Sequence, residues 1–129
     1  MNMYFKNYLN NLSETSPAAI ASIKSTVDSL IPKYIVPFSF REHITALLLG
    51  NVQSGKTSQV FGMISASADE GFPLFLFLTT DNVYLHAQTL KRVLTDLDAF
   101  VVCGEDDEVR FMIESKRRKP VIVVLKKNT

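Results

Sequence analysis

Four short apolar runs, TALLL (45–49), LFLFLTT (74–80), AFVVC (99–103) and VIVVL (121–125), are separated by longer stretches patterned as helices at 56–69, 82–96 and 105–119. Neighbouring antiparallel strands need only a tight turn between them, whereas parallel neighbours need a crossover the length of a helix. Strands buried on both faces also read as near-continuous apolar runs rather than as alternation. The pattern therefore predicts an α/β fold built on a mainly parallel sheet with right-handed crossovers. Gly71-Phe72-Pro73 marks the turn into the second strand. On the first helix Val60, Met63 and Ile64 are expected to face inward. On the second, Val83, Ala87, Leu90, Val93, Leu94 and Leu97 share a face.

Residues 1–40 follow a different pattern. Tyr4, Phe5, Tyr8, Leu9 and Leu12 recur at helical spacing, which predicts a short amphipathic helix. Ser16-Pro17 reads as an N-cap with proline at the first helical position. Ile20, Ile23, Val27 and Leu30 then form the stripe of a second helix, which Pro32 is expected to end. A second proline, Pro37, makes IPKYIVPFSF a connector. The chain accordingly divides into a helical lead-in over 1–40 and an α/β domain over 41–129.

Between the first apolar run and the first helix, Gly50-Asn51-Val52-Gln53-Ser54-Gly55-Lys56-Thr57 fits G-x-x-x-x-G-K-[ST] at every fixed position. Glycines at the ends allow backbone dihedrals that side chains forbid, so successive N–H groups can turn inward around an anion. The helix that follows aims its positive end at the same point. Lys56 is expected along the outer phosphates, the Thr57 hydroxyl on Mg²⁺, and Ser58 at the edge of the same site. These residues predict binding of ATP with Mg²⁺.

Hydrolysis needs a carboxylate on the metal and a group to orient water, and no strand end supplies a clear one. Asp81 follows the second strand but reads as the N-cap of the next helix. Glu105-Asp106-Asp107-Glu108 opens a helix closed by Lys116-Arg117-Arg118-Lys119, and this charge order complements the helix dipole without a metal. The last strand runs into Lys126-Lys127-Asn128-Thr129. The expected sheet is thus incomplete, as in a fragment of a larger ATPase.

Ala46 to Arg92 resembles the ATPase domain of the Z-one-type endonuclease family and, more broadly, superfamily-2, DEAD-like helicase cores. LLLGNVQSGKT (47–57), ISASADEGFPLFLFL (64–78) and TTDNVYLHAQTLKR (79–92) carry the resemblance, and VIVVLKKN (121–128) is similar to the strand and turn before the acidic motif of such proteins. The resemblance implies a three-layer, RecA-like P-loop NTPase fold and an ATP-dependent domain acting with nucleic acid in restriction or phage defence. It implies phosphate-loop roles for Gly50, Gln53, Ser54, Gly55, Lys56 and Thr57, and nucleic-acid contacts for Thr79, Thr80, Asn82 and Gln88. The aspartate–glutamate motif, a second motor domain and any nuclease motif are missing from these residues, so activity of this chain alone is not expected.

Composition narrows the remaining choices. With 14 basic and 13 acidic residues, net charge favours neither nucleic acid nor its absence. Cys103 is the sole cysteine, which excludes a disulfide framework and a cysteine-based zinc site and fits a reducing, cytoplasmic setting. Cys103 itself reads as a small buried apolar residue. No signal-peptide pattern is present, and no apolar run approaches the roughly 18 residues of a membrane span. His43 and His86 read as surface or packing residues, since neither has partners at metal-ligand spacing. Ser54 and Ser58 have no histidine at triad-like spacing. Lys116–Lys119 reads as a solvated helix end. Tyr34, Phe38 and Phe40 precede the loop, where either adenine stacking or core packing would use them. The alternative function is a non-catalytic, self-associating interaction module with a vestigial phosphate loop.

Overall fold

The computed structural model describes residues 3–12, 15–47, 56–79, 82–105 and 119–126. The chain forms two compact units, Met1–Glu70 and Gly71–Thr129. The helical lead-in therefore shares a unit with the helix that follows the expected phosphate loop.

The first unit contains α1 (Met3–Asn11), α2 (Pro17–Leu30) and α3 (Lys56–Asp69). Tyr8 and Leu12 of the α1 stripe, and Ile23 and Val27 of the α2 stripe, are buried as their spacing requires. Ser16 caps α2 by accepting the Ala19 N–H at 3.2 Å, with Pro17 at the first helical position. Pro32 does not stop the chain from winding on. Residues Ile31–Ile35 form a π-helical turn closed by Val36 N–H to the Ile31 carbonyl at 2.9 Å. Proline has no N–H to donate, and placed at the start of a wider turn it breaks no bond that the turn needs. The first turn of α1 leaves backbone donors unpaired by its own helix. Asp69, the last residue of α3, accepts two of them, Tyr4 N–H at 2.8 Å and Phe5 N–H at 3.1 Å.

The buried face of α3 differs from the expected one. Val60, Met63 and Ile64 are half-buried, while Phe61, Gly62, Ser65, Ala66, Ser67 and Ala68 are buried. Hydropathy ranks large side chains first, but small ones let neighbouring helices come close. Val27, Ile31 and Ala66 form a core cluster joined by Phe5, Ile35 and Met63. The buried Ser65 hydroxyl is satisfied by the Gly62 carbonyl at 3.0 Å. The approach is closest at Gly62, where an added Cβ would lie 2.7 Å from Ile23 Cγ2 and 3.7 Å from Phe5 Cε1.

The expected strand TALLL does not form over its described part. Thr45, Ala46 and Leu47 are exposed and unpaired in any sheet, Leu47 being 81% exposed, and Leu48 and Leu49 lie outside the described residues. An apolar run becomes a strand only where a neighbour supplies the ladder, and hydropathy carries no information about that neighbour.

The second unit holds a three-stranded parallel sheet of β1 (Leu74–Thr79), β2 (Val101–Cys103) and β3 (Val121–Lys126), in the order β1-β3-β2. The register runs from Leu74↔Val121 to Thr79↔Lys126 on one side and from Val101↔Val121 to Cys103↔Val123 on the other. Gly71, at φ 95°, makes the turn into β1 in the region that glycine alone adopts without strain. The helix α4 (Val83–Asp96) packs on β1 and β3, and Phe75 meets Phe100 edge-on at 6.0 Å. Val93 and Leu97 carry the buried face of α4, whereas Val83, Ala87 and Leu94 are exposed and Leu90 half-buried. On the opposite sheet face Val101, Cys103 and Val121 cluster with Val123, which places Cys103 in the core as expected. The crossover expected at 105–119 lies outside the described residues except for its two ends.

Gly62→Ala should destabilise the protein despite a gain of about 1 kcal/mol in helix propensity. Ile23 is β-branched and cannot swing away, and overpacking of this kind costs about 1–3 kcal/mol. Thermal unfolding should show a lowered midpoint, and an equal or raised midpoint would refute the close α2–α3 contact.

Candidate functional site

The phosphate-loop residues divide between described and undescribed parts. Gly50, Asn51, Val52, Gln53, Ser54 and Gly55 lie outside the described residues, while Lys56, Thr57 and Ser58 form the first turn of α3. Lys56 is exposed, and Thr57 and Ser58 are half-buried. The first turn contains no acidic residue, so the positive end of the helix macrodipole is not offset by its own side chains. A helix N-terminus of this charge pattern is a setting suited to an anion.

The turn is supported from below. The Tyr8 hydroxyl donates to the Ser58 carbonyl at 2.9 Å, and the fully buried Tyr8 ring meets Phe61 edge-on at 6.2 Å. Gln59 Nε2 donates to Ser22 Oγ of α2 at 3.1 Å. Three of the four residues from Ser58 to Phe61 are thus tied to the lead-in helices.

The aromatics upstream of the loop are not core residues. Phe40 is 64% exposed and adopts φ 60°, a left-handed conformation that is strained for a bulky side chain. Its ring contacts the half-buried Phe38 edge-on at 5.0 Å. Tyr34 is at the surface, with the Lys33 ammonium 5.2 Å from its ring centre.

In the second unit the carboxyl ends of the strands carry the polar groups, the end of a parallel sheet where ligands usually bind. Thr79, the last residue of β1, is buried, and its hydroxyl donates to the Leu125 carbonyl at 3.3 Å. The same oxygen lies 2.6 Å from His86 Nδ1. We assign the single hydroxyl proton to the Leu125 contact, so that the imidazole Nδ1 donates to Thr79 and Nε2 is left as the acceptor. Across β3, Glu105 accepts the Lys126 N–H at 2.7 Å. One peptide unit, Leu125–Lys126, is therefore held at its carbonyl by Thr79 and at its N–H by Glu105.

The four residues expected at nucleic acid are placed differently from one another. Thr79 is engaged inside the sheet end, and Thr80 lies outside the described residues. Asn82, rather than Asp81, is the N-cap of α4, its side-chain oxygen accepting Tyr84 N–H at 2.9 Å and Leu85 N–H at 3.2 Å. Gln88 is exposed and lines an open recess of about 380 Å³ with Lys91, Arg92, Thr95 and Asp96. There Arg92 lies 3.8 Å from Asp96. Burial raises the Asp96 carboxyl above its ordinary range, and Arg92 offsets this only in part.

Two residues acquire roles that their spacing did not suggest. His86 pairs with Thr79 where a surface or packing residue was expected, and the pattern Thr79, Asn82, His86 (strand end, cap, next helical turn) was the available signal. Glu105 ties β3 instead of serving only a helix dipole. Among the described residues no group of three or more His, Cys, Asp or Glu is arranged to hold a metal ion, and no helix is long and apolar enough to cross a membrane. Compared with protein-family models, curated proteins and solved structures, the chain matches none of them.

Thr79→Val should remove the partner of His86 Nδ1 while keeping the β-branched shape. Long-range ¹H–¹⁵N correlation of the neutral imidazole should show the Nδ1–H tautomer in the parent protein and a shift toward the usual Nε2–H form in the variant. An Nε2–H tautomer in the parent protein would refute the assigned proton order.

Proposed function

We propose that the chain binds ATP–Mg²⁺ through Gly50–Thr57 and Ser58, as the N-terminal part of a superfamily-2-like, RecA-type ATPase of the kind that acts on nucleic acid in restriction or phage defence. The observation that carries this reading is the complete G-x-x-x-x-G-K-[ST] run entering α3, whose first turn presents Lys56 and Thr57 with no acid beside them. Thr57 fits Mg²⁺, which keeps several waters and takes few protein oxygens besides those of the phosphates. Exposed Phe40 offers a face for the adenine. Thr79, Thr80, Asn82 and Gln88 remain the residues proposed toward nucleic acid, with Lys91 and Arg92 beside Gln88 supplying charge.

A second reading, a self-associating interaction module, is favoured by β1. Among the described residues β1 lies at the end of the strand order, beside β3, and turns Leu76 and Leu78, 61% and 67% exposed, to the surface. An exposed apolar face of this kind marks a surface suited to a covering partner.

Titration calorimetry with Mg-ATP separates the readings. Lys56→Ala should weaken binding about 10- to 100-fold, the loss of a charge-assisted contact to phosphate. Equal heats for both proteins would overturn the nucleotide reading. A dimer mass by light scattering, with no nucleotide heat, would favour the module.

A further inference from the structure

We propose that Tyr8 is a positioning residue for the phosphate-binding turn of α3, an inference that rests on the nucleotide reading above. The first turn of a helix frays most readily, because its N–H groups have no intrahelical acceptors to hold them. An anion is bound well only when those N–H groups already converge on it. Any population of frayed turns therefore lowers the apparent affinity in proportion to the fraction lost.

Tyr8 acts at this point. Its hydroxyl donates to the carbonyl of Ser58, the residue after Thr57, at 2.9 Å. The phenol cannot swing away, since its ring is fully buried and set edge-on against Phe61. The helix that carries it is itself fixed to the far end of α3 through Asp69, which accepts the Tyr4 and Phe5 N–H groups. Between these two ties, the absence of a side chain at Gly62 lets Ile23 and Phe5 close on α3. The result is a brace: α1 is anchored at the last residue of α3 and holds the turn that bears Lys56 and Thr57. The lead-in thereby has a function separate from covering apolar surface, which is to keep the binding turn formed before the ligand arrives.

Position and stability are separable because the two ties lie at opposite ends of α3. Tyr8→Phe removes only the hydroxyl and should weaken Mg-ATP binding about three- to tenfold, the value of one neutral hydrogen bond carried into the binding equilibrium. Asp69→Ala, which frees the distal tie, should lower the unfolding midpoint at least as much while leaving affinity within about twofold. Phe61→Leu loosens the phenol without touching its hydroxyl and should shift affinity in the direction of Tyr8→Phe, and it carries the test if that variant fails to fold. Parental affinity in Tyr8→Phe, or equal losses in Tyr8→Phe and Asp69→Ala, would overturn the positioning role alone. Absence of Mg-ATP binding by the parental protein would overturn the nucleotide reading, and this inference with it.

Discussion

The first unit depends on how closely α1 and α2 can pack against α3. Gly62 permits an approach at which even a methyl group would press into Ile23. Ser65, Ala66, Ser67 and Ala68 continue the small-residue surface toward Asp69. Close packing replaces the large apolar side chains that a longer stripe would use, and it makes the unit sensitive to single methyl groups. It also brings α1 into contact with both ends of α3, where the Tyr8 hydroxyl adds a bond to the Ser58 carbonyl and the Asp69 carboxylate takes the Tyr4 and Phe5 N–H groups that α1 leaves unpaired.

The second unit depends on its parallel sheet. Because β1, β3 and β2 all run in one direction, their carboxyl ends gather at one edge. Thr79, Glu105 and the Leu125–Lys126 peptide meet there, and His86 arrives from the first turn of α4. The sheet has apolar residues on both faces, as parallel sheets do when both are covered. Leu76 and Leu78 of the edge strand are nevertheless exposed. That exposure keeps the interaction-module reading in play beside the nucleotide one.

Much of this architecture was legible in the sequence, for reasons that differ by element. The three described strands and the four helices follow from apolar runs and helical spacing, and Ser16-Pro17 announced its cap through side-chain chemistry that acts locally. The failures are non-local. TALLL has the composition of a strand, but its described residues Thr45 to Leu47 join no sheet, since a strand needs a partner that composition does not name. The buried face of α3 was misassigned because periodicity weighs Val60, Met63 and Ile64 above Gly62 and Ala66, whereas burial was decided by how near α2 comes. The cap of α4 fell on Asn82 because its amide oxygen reaches both the Tyr84 and Leu85 N–H groups. For the candidate site, the loop motif was fully legible as a pattern, but the braces beneath it were not. Tyr8 and Ser58 are 50 residues apart, and no local rule connects them.

Nucleotide binding by this chain turns on whether the first turn of α3 receives a phosphate. The amide resonances of Lys56 and Thr57, followed by ¹H–¹⁵N correlation during titration with Mg-ATP, report on this directly. These two amides should show the largest downfield shifts in the helix, as their N–H groups take up phosphate oxygens. Saturating Mg-ATP that leaves both amides in place would contradict it.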